Sequence, residues 1–265
     1  MASAQDDLLG SQKSPEPTAI DPQLSGKVAV VVGGAGAIGS AIASALSRQG
    51  ATVVIADAAP TTEEVWSRIQ KETGRNGRTL RVDLTKADEI ESAFSTVHDD
   101  FNRLDILVHA AGIYLRRGLL EMTPEEWDQT QAVNVRSFFL CAKAAAREMM
   151  ARGEGRIIGI TSGMAVAGRE RSSAYSASKA AMIAFAKSVA PELSSTGITI
   201  NCIGPGITDT PLMRNANTEE EIKQSAARLG RPISTPDNVV GPVLYLLSDA
   251  TKLVSGTTVW MKSPD

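Results

Sequence analysis

Cysteine is nearly absent from this chain. Of 265 residues only Cys141 and Cys202 carry a thiol. Each sits in an apolar segment that reads as buried helix or strand, so no disulfide framework is expected and a reducing cytoplasm is the expected setting. Long apolar runs are missing too. The longest, Ala180 to Ala186, covers about two helical turns, whereas a membrane-spanning helix needs roughly 20 residues, so no membrane insertion is expected. Net charge is -3, and no run of Lys and Arg is long enough to track phosphates, which argues against a nucleic-acid partner. Residues 1–23 mix Asp, Ser, Gln and Pro without the apolar centre of a signal peptide and read as a flexible tail. No residues group as metal ligands, and no metal is expected.

What is present is an ordinary globular composition, 43% hydrophobic and 22% charged, enough for a sizeable core. Short runs rich in Val and Ile alternate with stretches of helical period. The runs are Val28 to Val32, Ala51 to Ala56, Thr79 to Val82, Ile106 to His109, Arg156 to Thr161, Ile198 to Ile203 and Thr257 to Met261. That alternation predicts βαβ units and a seven-stranded parallel sheet buried on both faces. Thr61 with Glu64 and Thr85 with Asp88 have capping-box spacing, while Thr123-Pro124 and Thr235-Pro236 pair a cap with a first-turn proline. Without a composition break or repeat, residues 24–265 are expected to form one domain.

Gly33-Gly34-Ala35-Gly36-Ala37-Ile38-Gly39 follows the first strand and opens the first helix. Small residues there let the backbone approach a pyrophosphate, which a helix N-terminus stabilises through its free N–H groups and dipole. Asp57 ends the next strand 18 residues after Gly39, where a carboxylate can accept hydrogen bonds from the adenosine ribose. The same charge repels the extra phosphate of NADP, and neither Gly36 nor Ala58 supplies a cation to hold it, so the expected cofactor is NAD.

These motifs, in this order, resemble the short-chain dehydrogenase/reductase family from Lys27 to about Thr258. The resemblance implies a three-layer doubly wound Rossmann fold. Val32 to Gly39 looks like the family's Thr-Gly-x-x-x-Gly-x-Gly, with Val32 replacing Thr and Ala37 replacing the middle Gly, Gly36 beside it keeping the turn permissive. Asp83-Leu84 falls where the family places an acidic residue beside adenine. His109-Ala110-Ala111-Gly112 matches Asn-Asn-Ala-Gly with both asparagines replaced, and His109 is read as a packed or hydrogen-bonded strand-end residue rather than a catalytic one. Asn134, Ser162, Tyr175 and Lys179 fall on the catalytic tetrad, with Ser162 13 residues ahead of Tyr175-Ser176-Ala177-Ser178-Lys179. Asn201 to Thr210 resembles the loop holding the nicotinamide, in which Pro205 and Gly206 set the turn and Ile207 and Thr210 meet the carboxamide.

Together these residues imply an NAD-dependent oxidoreductase that moves a hydride between nicotinamide and a secondary alcohol or ketone. Tyr175 is the expected acid/base. Its reference pKa of about 10 is too high for a base near neutrality, so Lys179, one helical turn away, is expected to favour the phenolate. Ser162 is expected to hydrogen-bond the substrate oxygen, and by resemblance Asn134 holds a water that relays protons through Lys179. Tyr114, Leu115, Met164, Ala165, Val166, Leu212 and Met213 are expected to line a mostly apolar pocket. Arg169 and Arg171 read either as solvated loop cations or as anchors for a substrate anion. A short lid is expected around 207–231, and a homotetramer, paired through the helices Phe138 to Ala151 and Ser176 to Val189, follows by resemblance. The rival readings are an NAD-using dehydratase or epimerase on the same scaffold and a non-enzymatic dinucleotide-binding regulator.

Overall fold

Val and Ile crowd the strands because both faces of the sheet are covered. In the computed structural model, which describes residues 24–229 and 233–261, β1 (Val28–Val32) is buried at every position. Its residues alternate between two cores. Val28, Val30 and Val32 join one with Phe138, Met149 and Met182, while Ala29 and Val31 join the other with Ile42, Leu46 and Trp66. The tail expected over residues 1–23 and the chain end at 262–265 lie outside the described residues.

Seven parallel strands form one sheet in the order β3-β2-β1-β4-β5-β6-β7. The others are β2 (Thr52–Asp57), β3 (Gly77–Arg81), β4 (Ile106–His109), β5 (Gly155–Ile160), β6 (Ile198–Gly204) and β7 (Thr258–Trp260). The helices are α1 (Ala37–Arg48), α2 (Thr62–Thr73), α3 (Ala87–Phe101), α4 (Pro124–Gln131), α5 (Ser137–Met150), α6 (Met164–Ala167), α7 (Ser173–Glu192), α8 (Pro211–Ala216), α9 (Glu219–Leu229) and α10 (Val240–Leu247). This is the doubly wound three-layer Rossmann architecture. β3 begins at Gly77, two residues before the expected start at Thr79, and the ring of Trp66 packs on its first residue, where a Cβ would be 2.3 Å from it.

Two expected capping boxes do not form. Thr61 precedes α2 without a side-chain cap bond. The Thr85 hydroxyl donates to Asp83 instead, leaving Lys86 at the N-cap of α3. Thr123 does cap α4, with Glu126 closing the box, and Thr235 is paired likewise with Asn238. Between α4 and α5, Ala132–Arg136 forms a π-turn, which the apolar stripe through Asn134, Phe138, Cys141 and Ala145 does not announce.

Candidate active site

Strand order reverses between β1 and β4, and the loops leaving their C-terminal ends meet there, at the switch point where doubly wound sheets bind ligands. Gly33 has φ +74, and a Cβ on it would stand 2.4 Å from the Ala111 nitrogen. Only glycine fits such an approach, which also explains the small run Ala110-Ala111-Gly112. At Gly39 a Cβ would lie 2.1 Å from the Gly33 carbonyl oxygen, so α1 packs directly on the loop. The permissive turn is thus at Gly33. Gly36, expected to supply it, is extended with φ -70, and Ala37 starts α1 in ordinary helical geometry.

Among the described residues the amides of Ala37, Ile38 and Gly39 have no acceptor. Three free donors at a helix N-terminus, over a loop stripped of side chains, fit the pyrophosphate of a nicotinamide dinucleotide. Asp57 stands beside them, and its oxygens accept from the Ala35 amide at 2.9 Å and the Ala59 amide at 2.9 Å. It therefore braces the glycine loop while retaining acceptor capacity for ribose hydroxyls. Asp83 is held by the Thr85 amide at 3.0 Å, and Leu84 is buried.

Tyr175 and Lys179 share one face of α7 at its N-terminal end, both buried. The Ser162 hydroxyl, on the segment leaving β5, lies close enough to the Tyr175 phenol to favour its ionised form. The Ser162 Oγ also accepts from the Met164 amide at 3.2 Å. The Tyr114 ring stacks on Tyr175, centroids 4.6 Å apart, and its hydroxyl pairs with Ser172 at 2.7 Å. Gly112 closes the constellation, since a Cβ there would approach Lys179 Nζ at 3.2 Å and Asn134 Oδ1 at 3.4 Å.

The expected effect of lysine on the phenol is not present in the protein alone. Lys179 Nζ donates to the Ile160 carbonyl at 2.9 Å and stands 5.8 Å from the Tyr175 ring centroid. Burial pushes the phenol up to about 12, opposed by the nearby Ser162 hydroxyl. Burial likewise pulls the Lys179 amine down to about 8. Both shifts have one cause, burial that disfavours the charged form.

Asn134 does not present a free amide either. Its Oδ1 accepts from the Ile113 amide at 2.8 Å, while Nδ2 donates to the Ile113 carbonyl at 3.0 Å and to Ser178 Oγ at 2.9 Å. It clamps the loop after β4 to α7. His109 is buried, with Nε2 2.7 Å from Ser137 Oγ. Because that hydroxyl donates to the Val133 carbonyl, Nε2 is the protonated nitrogen, and burial pulls the imidazole down to about 3.

On the opposite side, the Pro205 carbonyl accepts from the Gly163 amide at 3.0 Å and the Ile207 carbonyl from the Ser234 amide at 3.0 Å. The Thr210 hydroxyl caps α8 through the Met213 amide. These bonds fix the loop after β6 over the cleft. Arg171 lies on the surface, paired with Glu121, whereas Arg169 faces Glu221 of α9. Ile113, Ser178, Ser172 and Arg116 were not singled out by the sequence. Their parts depend on loops far apart in the chain, and no local spacing signals them.

Comparison with known proteins agrees with this geometry. A family model described as Enoyl-(Acyl carrier protein) reductase matches residues 33–262. The 3-oxoacyl-[acyl-carrier-protein] reductase of Vibrio cholerae is 34% identical, over 89% of this chain and 96% of that protein. The 3-oxoacyl-[acyl-carrier-protein] reductase of Synechocystis is 35% identical over 89% and 95%, and Nodulation protein G of a Rhizobium species is 34% identical over 89% and 96%. The crystal structure of gox2181 superposes with a TM-score of 0.85 at 31% identity, covering 91% of this chain and 96% of that one. Among the described residues no helix is long and apolar enough to cross a membrane. The chain belongs to the short-chain dehydrogenase/reductase family of oxidoreductases.

Proposed function

We propose that this protein is an NAD-linked oxidoreductase acting on a secondary alcohol or ketone, with Tyr175 as acid/base. The observation that carries the proposal is the buried Tyr175, with Ser162 nearby and Lys179 one helical turn away, beside a glycine loop with free helix amides. When bound, the nicotinamide gives or accepts the hydride. Tyr175 gives a proton to the carbonyl oxygen in reduction and takes the alcohol proton in oxidation. Ser162 donates a hydrogen bond to the same oxygen as negative charge develops there. Lys179, once turned from the Ile160 carbonyl toward the phenol, stabilises the phenolate. Asn134 holds Ile113 and Ser178, and so the wall of the site, in place. Similarity to 3-oxoacyl-[acyl-carrier-protein] reductases supports ketone reduction rather than dehydration or epimerisation.

Asp57 carries the choice of NAD: its carboxylate would accept from the ribose hydroxyls and repel a phosphate placed there, with no ion pair to offset it among the described residues. The proposal includes one domain over 24–265, a lid within 207–231, a cytoplasmic setting and a homotetramer. Titrating NADH and NADPH against protein fluorescence tests the cofactor, and tighter NADPH binding rejects NAD. A panel of secondary alcohols and ketones, followed at the NADH absorbance, tests the reaction. Tyr175→Phe should abolish turnover and leave cofactor affinity within about twofold, whereas retained turnover rejects the mechanism.

A further inference from the structure

Two arginines from different loops converge on one carboxylate at the rim of the substrate cleft. Arg116 lies two residues beyond Tyr114, whose ring covers Tyr175. Arg169 lies on the loop that begins with Ser162, and the two loops are joined by the Arg117 amide donating to the Arg171 carbonyl at 2.9 Å. Both guanidinium side chains are sheltered, with 22% and 26% of their surface exposed, and both face Glu221 of α9. The other arginine pairs of this rim differ. Arg117, Arg171 and Arg214 are 45%, 41% and 53% exposed, each with its own carboxylate partner.

The accounting at Arg116 leaves donors over. Nη1 alone makes the contacts: to Glu221 Oε1 at 2.8 Å, to Oε2 at 3.0 Å and to the Ala216 carbonyl at 3.0 Å. Nε is shielded from solvent without an acceptor. A guanidinium binds a carboxylate best through two parallel N–H bonds, and here the carboxylate straddles a single nitrogen. Arg169 stands 3.8 Å from the same carboxylate, an ion pair without a hydrogen bond. Two positive charges thus share one negative charge. Glu221 belongs to the α9 cap, its Oε2 accepting from the Thr218 amide at 2.8 Å and the Thr218 hydroxyl at 3.3 Å, so it moves with α9; none of the described residues of α8 and α9 belongs to either core, and the ion pairs that tie α9 to the loops after β4 and β5 both end on Glu221.

We propose that Arg116 and Arg169 form a carboxylate-recognition subsite for the substrate, held by Glu221 as an internal ligand until a substrate carboxylate takes its place. The inference rests on the oxidoreductase reading above and narrows its substrate to an oxo acid or the matching hydroxy acid, with a free carboxylate beyond the reacting carbon. An arriving carboxylate gains the two-pronged geometry and the Nε donor that Glu221 leaves unused, and Glu221 swings out with α9.

The test uses a ladder of methyl-ketone acids with one to five methylenes between carbonyl and carboxylate, each beside its methyl ester. At one spacer length the acid should exceed its ester in kcat/KM by about tenfold or more. Arg116→Gln and Arg169→Gln should bring that ratio near unity while the ester rates persist, and Glu221→Gln should lower KM for the acid. A second measurement needs no turnover: calorimetric titration with glutarate and dimethyl glutarate should show binding of the diacid only, tighter in Glu221→Gln and lost in Arg116→Gln. Acids and esters reduced alike at every length, together with no glutarate binding, overturn the subsite and leave the oxidoreductase reading standing. Absence of turnover across the whole ladder counts against that reading, and glutarate binding then decides the subsite alone.

Discussion

Tyr175 and Lys179 carry opposite distortions with one cause. Burial raises the phenol to about 12 and lowers the amine to about 8, in each case by disfavouring the charged form. Alcohol oxidation should therefore rise with pH as the phenol ionises in the cofactor complex. Lys179→Met should move that rise to higher pH and cut kcat/KM near neutrality by about a hundredfold or more, and an unmoved pH profile would show that the lysine does not act on the phenol. His109 makes a separate prediction. Its folded pKa, about 3, lies below the ordinary imidazole value of 6.5, so the unfolded chain binds the extra proton first. The stability contributed by the neutral imidazole is complete above that ordinary value and is lost as pH falls toward 3, at up to about 1.4 kcal/mol per unit. Urea midpoints taken at about pH 5 and about pH 7.5 should differ more in the wild type than in His109→Asn, and equal differences would contradict this.

At the scale of elements, the π-turn Ala132–Arg136 is the least regular part of the scaffold and carries Asn134. Ser137 Oγ donates to the Val133 carbonyl and receives the His109 proton, so a strand end and a helix start brace the turn together. Asn134→Ala leaves the Ile113 amide and carbonyl without their side-chain partner. It should cost about 1–3 kcal/mol in chemical denaturation and raise KM more than it lowers kcat, because the wall of the site loosens while Tyr175 and Ser162 stay in place; an unchanged KM would place Asn134 outside the site. The strands were legible because runs such as Val28 to Val32 and Ile106 to His109 have no other use in a chain of this composition. Tyr175 and Lys179 were legible because their spacing is local to one helix. The π-turn was not: Phe138, Cys141 and Ala145 keep an ordinary helical period directly after it and carry no trace of it. The failed cap at Thr85 shows competition, since Asp83 holds the Thr85 amide and hydroxyl instead.

Across the whole molecule, the site draws on loops after β1, β2, β4, β5 and β6, so its geometry is set by strand order rather than by neighbouring sequence. Arg116 and Glu221 are 105 residues apart, which is why no spacing in the chain links them. The outer face of α5 exposes Phe139 at 42% and Met150 at 55%, with Phe139 edge-on to Phe185 of α7 at 6.0 Å. Apolar rings on the two helices expected to pair between subunits fit the proposed assembly. Phe139→Glu should lower the sedimentation coefficient toward that of a monomer, and a wild-type protein that already sediments as a monomer would dismiss the tetramer.

The hydrogen bond from the Ala35 amide to Asp57 restricts how this protein can change its cofactor. A carboxylate that braces the glycine loop, and is proposed to meet the ribose as well, cannot be exchanged for a small neutral residue without slackening the loop it supports. Engineering, or natural drift, toward a phosphorylated dinucleotide would find Asp57 guarded by its structural duty. The accessible route runs through its neighbour: Ala58 is exposed, and a cation introduced there adds charge while the brace remains.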